Sequence, residues 1–490
     1  MFSATTSVAL VGIEARAVRV EVHVGGGKPI FSLVGLPDAA VREAKERVRA
    51  ALASSGFQFP NRRVTVNLAP ADLPKAGSAY DLPIAFGVLA ASRVVSPEAA
   101  EVVALGELAL DGSLRAVRGG LGAGEVSRDI GVPCVLPPES AVEASLVAGA
   151  EVRAASSLAE AVSVAVGSTP GQEIRLPSEE APSGRDLMAV RGQARARRAL
   201  EVTAAGGHHL LLTGPPGTGK TLLASCLPSI LPTLTDTQQV EVAKAWSAAG
   251  RSKPSRANPP FRSPHHSATP AALLGGGSGV PSPGELTLAH HGVLFLDELG
   301  EFPPYLLDGM RQPLEEGSVH VARRGVSVKF PCDCQVVAAT NPCPCGFLGD
   351  ERVPCGCTPA AVARYRRRFS GPFLDRFDIR TSLSRPDGDE LLGPPGENSE
   401  AVRCRVVAAR LRQAGRGSLN RNLEREQIDR LDWSSDAVAS VRAALSSSRL
   451  SGRGFDRVRK VAVTIADLAD SDRIEQHHVA EALGYRKDFE

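Results

Sequence analysis

The sequence predicts an α/β chain in three parts: a parallel sheet at the centre, a β-rich part with helices before it, and an all-helical part after it. Three observations predict this. From about Leu187 to Ser384 strand-like runs alternate with helical ones, the order that builds a parallel sheet. Inside that span the apolar run Leu210–Leu212 passes through a glycine-rich loop directly into the apolar helix TLLASCL. Two stretches rich in Pro, Gly, Ser and Glu, Gly167–Asp186 and Ser384–Glu400, interrupt the pattern on either side. The boundaries that follow are a first domain over 1–168, a linker over 169–186, the α/β core over 187–385, a linker over 386–400 and a helical domain over 401–490. The 490 residues agree, since about 150 residues make one domain.

In the first domain, residues 17–35 read as two alternating strands around Gly25, Gly26 and Gly27, a hairpin signal. A helix follows from about Asp38 to Ser54, where Val41, Ala44, Val48 and Leu52 recur at helical spacing. RRVTVNL is a further strand and DLPIAFGVLAAS a buried helix. In the last domain Val402, Val406 and Ala409, and then Val458, Val461, Ile465 and Leu468, form amphipathic stripes.

Composition narrows the function. Lys and Arg number 56 against 54 Asp and Glu, a net charge of +2, which excludes binding to a polyanion by bulk charge alone. Aromatic residues are 4%, too few for broad stacking platforms. No run of about 18 apolar residues occurs, so no membrane helix is expected, and Met1–Gly12 lacks a positively charged secretion start. Nine cysteines, seven of them after residue 330, point to a reducing cytoplasm and one metal site rather than to disulfides.

The loop in LLLTGPPGTGKT has the spacing G-x-x-x-x-G-K-T. The loop Gly214, Pro215, Pro216, Gly217, Thr218 and Gly219 can wrap phosphates with the backbone N–H groups of its non-proline residues only where glycine lets the chain turn sharply. Lys220 then reaches the β- and γ-phosphates of ATP, and Thr221 offers a hydroxyl to Mg2+. Downstream, GVLFLDEL is an apolar strand ending in two carboxylates: Asp297 for the magnesium shell and Glu298 for the attacking water. The strand QVVAAT ends at Asn341, the polar residue placed beside the γ-phosphate in AAA+ type ATPases. In GPFLDRFDI, Arg376 has the position of an arginine finger that completes a neighbour's site, and so predicts a ring. Arg453, at the start of a C-terminal helix, fits a nucleotide-sensing arginine on the lid, with Arg457 and Lys460 as competitors. Cys343, Cys345, Cys355 and Cys357 form two C-x-C pairs that can close a structural Zn2+ site. Cys332 and Cys334 read as buried small hydrophobes, and the adjacent His265 and His266 as loop residues.

The segments FRSPHHSATPAALLGGG, PGELTLAHHGVLFLDELGEF, RQPLEEGSV and NPCPCG, with FLDRFDI and VTIADL, resemble the YifB/ComM family of magnesium-chelatase-like AAA+ ATPases across essentially the whole chain. The resemblance implies a Lon-protease-like N-terminal domain, an AAA+ core and a helical lid. It also implies a homo-hexameric DNA motor that drives branch migration during natural transformation, with a chelatase-like ATPase remodelling a protein partner as the alternative. Two insertions are implied, one over about 253–290 and one over 316–330. The second is a hairpin whose Arg323, Arg324 and Lys329 would line a ring pore around branched or single-stranded DNA. In the Lon-like segments the catalytic serine position falls on Ala79 and the lysine position on Gly122, which implies a degenerate, non-proteolytic domain. Ser78 and Lys75 are the nearest substitutes.

Overall fold

The structure is a computed structural model that describes residues 1–490 except 36–37, 74, 76, 176–183, 252–256, 278–280, 324–325, 447–450 and 487–490. Part of each expected insertion and of the first linker therefore lies outside the described residues, as do Arg324 and the side chain of Arg323.

The N-terminal sheet has seven strands: β1 (Phe2–Val11), β2 (Glu14–Gly25), β3 (Phe31–Val34), β4 (Arg63–Ala69), β5 (Val103–Ala104), β6 (Cys134–Leu136) and β7 (Val152–Ala154), in the order β3-β4-β2-β1-β5-β6-β7. The hairpin expected at Gly25–Gly27 is corrected. β2 and β3 are not neighbours, because β4 lies between them, antiparallel to β2 and parallel to β3. The hairpin is instead β1–β2, paired down to Val11 and Glu14, with Gly12 at φ +69 as the first of its two loop residues. Glycine is needed there because such turns require a positive φ. Helix α1 (Ala39–Ser54) starts at Asp38, whose carboxylate accepts from the Val41 amide at 2.8 Å. Helix α2 (Asp81–Ala91) is buried along its whole length. Its Asp81 is held by Arg47 through two bonds of 2.6 and 3.0 Å, yet burial still lifts this carboxyl to about 6.

Residues 171–172 still belong to this unit, since Gln172 bridges Ala154. The linker is thus shorter than expected from composition. Its far end is anchored as well: Asp186 accepts from the amides of Met188 and Ser399.

The central sheet contains β8 (Leu210–Thr213), β9 (Phe261–Arg262), β10 (Val293–Leu296), then, after the hairpin of β11 (Ser318–Arg323) and β12 (Val326–Pro331), β13 (Gln335–Thr340) and β14 (Ile379–Ser382). Its order is β9-β10-β13-β8-β14, and every pairing is parallel. Side chains alternate across it. Leu210 and Leu212 join one core cluster with the phosphate-loop helix and the lid, whereas Leu211 joins another with the β11–β12 hairpin and Phe373.

The second linker carries a short helix, Gly388–Leu392, capped by Asp387 and Glu390. The lid begins at Ser399 and packs Val402, Val406, Ala409, Val458, Val461 and Ile465 into the first cluster, as the stripes predict. It is not purely helical, because Asp432–Trp433 pairs with Arg473–Ile474 as a two-stranded parallel ribbon. Among the described residues no helix is long and apolar enough to cross a membrane.

Candidate active site

Register places the site. β8 and β13 pair Thr213 with Thr340, so Gly214 and Asn341 emerge side by side at the carboxyl end of the sheet. β10 pairs Leu296 with Ala338, which brings Asp297 to the same level. Ligands of open parallel sheets bind at this end, beyond the strand termini.

The phosphate loop is pressed against the last strand, since a Cβ on Gly214 would lie 2.4 Å from the Leu383 carbonyl. Thr218 is buried and its hydroxyl donates to the Pro215 carbonyl at 3.0 Å. Gly217 and Gly219 have φ of +77 and +89, and open space lies where their Cβ atoms would be. These are the properties of a cradle for phosphate oxygens at the start of a helix, here α3 (Lys220–Ile230). Lys220 Nζ donates to the carbonyls of Gly214 at 2.6 Å and Pro215 at 2.8 Å, and to Asn341 Oδ1 at 3.2 Å. Burial lowers its pKa to about 8, against the pull of Asp297. The Thr221 hydroxyl donates to Asp297 at 2.8 Å, a hydroxyl–carboxylate pair whose oxygens suit Mg2+. The residues present therefore fit Mg-ATP.

Glu298 follows at φ +50, in the left-handed region, with its carboxylate exposed. His266 Nδ1 stands 3.4 Å from that carboxylate. Sequence reasoning left His266 in a structural loop; the only signal was its histidine pair, which says nothing about distance to Glu298.

Arg376 and Arg453 do not join this group. Both line a cleft of about 680 Å³ at the amino end of the same sheet, with His209, Asp333, Asp378 and Arg457 around it. Arg376 is buried and pairs with Glu315. The two competitors of Arg453 are engaged elsewhere: Arg457 donates to Asp378 at 2.9 Å, and Lys460 to the Arg421 carbonyl at 2.9 Å. Arg453 is exposed and has no ion-pair partner among the described residues. Arg453 thus stands at the opposite end of the sheet from Lys220 of its own chain.

The four cysteines do come together. Cys343, Cys345 and Cys355 have Sγ atoms 3.4 to 3.7 Å apart, Cys357 Sγ accepts from the Cys345 amide at 3.4 Å, and all four sulfurs lie within 4.8 Å of one another. Four sulfurs at 2.3 Å from a zinc ion would be about 3.8 Å apart, so the set fits a tetrahedral site. The Phe347 amide draws the Cys345 thiol down to about 6. The loop also touches the nucleotide site, since a Cβ on Gly346 would lie 2.7 Å from Pro216. Cys332 and Cys334 are buried apart from this cluster, as expected of small hydrophobes, and burial pushes the Cys334 thiol up to about 12.

A second group, Glu241 with His290 and His291, escaped sequence reasoning. It does not suit a metal. The Asp333 amide donates to His290 Nδ1 at 3.1 Å, which leaves the proton on Nε2, pointing at Glu241 3.5 Å away.

The Lon-like catalytic positions are closed. The helix Gly120–Ile130 lies so near the sheet that a Cβ on Gly122 would be 2.6 Å from the Ala15 Cβ. Ser78 donates to Glu107, and Lys75 is buried against the Pro70 carbonyl, so no serine–lysine dyad forms.

Comparison with known proteins agrees with this geometry. Family models described as magnesium chelatase subunit ChlI match residues 186–391 and 20–139, and one described as the ChlI C-terminal part matches 396–486. The chain is 41% identical to YifB of Escherichia coli and 43% identical to the competence protein ComM of Haemophilus influenzae, covering 98% of this chain and 96% of each relative. It is also 30% identical to Lon protease 2 of Bacillus subtilis over 151 residues, 29% of this chain and 27% of that protein. With a parallel phosphate-loop sheet and these relatives, the chain belongs to the YifB/ComM family of magnesium-chelatase-like proteins and is a ChlI-like AAA+ ATPase.

Proposed function

We propose that the protein is the protomer of a ring, a homo-hexamer, that uses Mg-ATP to move or remodel branched DNA. The observation that carries this reading is the split of the site between the two ends of one sheet. Lys220, Thr221, Asp297, Glu298 and Asn341 stand at the carboxyl end, while Arg376 and Arg453 stand at the amino end and cannot reach them. A ring brings the amino end of one protomer to the carboxyl end of the next.

Mg-ATP supplies the scissile phosphoanhydride and the charge to be stabilised. Lys220 and the loop amides would bind phosphate oxygens, and Thr221 and Asp297 would hold the metal. Glu298 orients a water and accepts its proton, with Asn341 fixing the water's position. Arg376, and beside it Arg453, would offset negative charge on a neighbour's nucleotide. The cysteine loop, held by Zn2+, would brace Pro216 and Asn341. The N-terminal domain, with Gly122 closed off, supports assembly rather than peptide cleavage.

DNA as the substrate draws support from the relative named a competence protein, from the hairpin β11–β12 and from its exposed Lys329. The test is purified protein with a labelled three-way junction. ATP-dependent strand movement and DNA-stimulated hydrolysis, both abolished by Glu298→Gln, are expected. Hydrolysis that ignores DNA and responds to a protein partner would favour the chelatase-like reading, which the ChlI matches keep in view.

A further inference from the structure

After the cysteine loop the chain forms helix α4 (Pro359–Arg366), in the segment TPAAVARYRRRFS. It buries none of its residues, yet it is pinned to the catalytic end of the sheet. The Tyr365 hydroxyl lies 3.0 Å from Thr340 Oγ1, one residue before Asn341, and fills the space beside Gly300, where a Cβ would meet it at 2.3 Å. The Tyr365 ring stands at 90° to that of Phe369, 5.6 Å away. This fixes one side of the helix and turns the others outward.

On those outward sides Arg364, Arg366 and Arg367 are exposed, and none has a carboxylate partner among the described residues; only Arg368 approaches one, Glu301 at 4.0 Å. Other arginines of the molecule are tied to carboxylates. Arg405 pairs with Glu201 and Glu397, and Arg412 with Asp467, Asp470 and Asp472. No acidic residue occurs from Thr358 to Ser370, and Arg364 and Arg367 sit three apart, where like charges repel. At about 100° per residue the three guanidiniums diverge around the helix, so they do not converge on one anion. Diverging cations suit an extended chain of phosphates. The helix also shows no exposed large apolar side chain that would seat a protein partner.

We propose that Arg364, Arg366 and Arg367 form a contact site for the phosphodiester backbone of nucleic acid, and that Tyr365 relays its occupancy to the strand carrying Asn341. The inference rests on the DNA reading above and adds a site separate from the hairpin. Tyr365 is a positioning residue.

The test is binding of a dye-labelled single-stranded oligonucleotide by anisotropy across a salt series, with thermal melting to verify folding. The triple variant R364Q/R366Q/R367Q is expected to bind at least tenfold more weakly. Its plot of log affinity against log salt should be shallower by about 2, three contacts at about 0.7 each. The triple lysine variant should keep the wild-type slope, because phosphate contacts need charge. Tyr365→Phe should bind DNA as the wild type does but lose most of the DNA stimulation of ATPase. Wild-type affinity and slope in a folded glutamine variant overturn the site, and full stimulation in Tyr365→Phe overturns the relay. Weaker assembly with unchanged DNA affinity would make the helix a subunit interface and also overturn the site. If the wild type itself binds no DNA, the DNA reading fails first, which is a distinguishable result.

Discussion

The two ends of the central sheet are built on opposite principles. At the carboxyl end a donor lysine, a hydroxyl, a carboxylate and an amide satisfy one another within 3.2 Å, a preorganised set held by strand register. At the amino end a cleft gathers Arg376, Arg421, Arg453, Arg457 and Lys460, and two of these, Arg453 and Lys460, have no carboxylate partner among the described residues. One end is self-complementary and the other is not. In the proposed ring, a second copy would join these two halves.

The largest effect tests that division. Arg376→Ala and Glu298→Gln should each lower turnover by about 10³-fold or more. Mixed in equal amounts, the two inert variants should regain activity, because some interfaces then pair an intact Glu298 with an intact Arg376. A mixture that stays inert would mean that the two residues act within one chain.

Next in size, Lys220→Ala should weaken ATP binding by roughly 10- to 100-fold, the worth of a charged hydrogen bond, as read by a fluorescent nucleotide. Arg453→Ala should leave binding to isolated protomers unchanged and lower affinity only in the assembled ring. Equal losses in both states would return Arg453 to its own chain's site.

A smaller effect comes from pH. Lys220 has its pKa lowered to about 8 by burial, and bound phosphate raises it again. Binding above pH 8 must therefore take up a proton, and affinity should fall by up to about tenfold per pH unit there, with no slope below. Calorimetry in buffers of different ionisation enthalpy reads that proton directly.

The smallest effect concerns the brace. Native mass spectrometry should find one zinc per wild-type chain and none in Cys355→Ser, whose core should melt roughly 4 °C or more lower, at about 2–4 °C per kcal/mol. Its turnover should fall only several-fold, because the loop touches Pro216 and Asn341 without meeting substrate.

Much of this was legible in the sequence, and the reasons are local. The phosphate loop, the apolar strand before Asp297 and the strand before Asn341 carry their chemistry in contiguous residues, so spacing alone identifies them. Asp38 could be read as the start of a helix because its cap bond spans three residues. The hairpin at Gly25–Gly27 was misread because three glycines state that the chain turns, not which strand it meets. β4, far along the chain, took the place beside β2.

The sequence by itself determined which groups the protein has: a phosphate loop, two carboxylates after an apolar strand, a finger-like arginine and four clustered thiols. These follow from short-range constraints that nearest neighbours express. Only the tertiary structure decided how they are divided. Parallel pairing sent Lys220, Asp297 and Asn341 to one end of the sheet, and the lid's packing sent Arg453 to the other. It also set His266 near Glu298, closed the space at Gly122 and pinned Tyr365 to Thr340. Each depends on residues distant in the chain meeting through burial, and burial is a property of the whole fold.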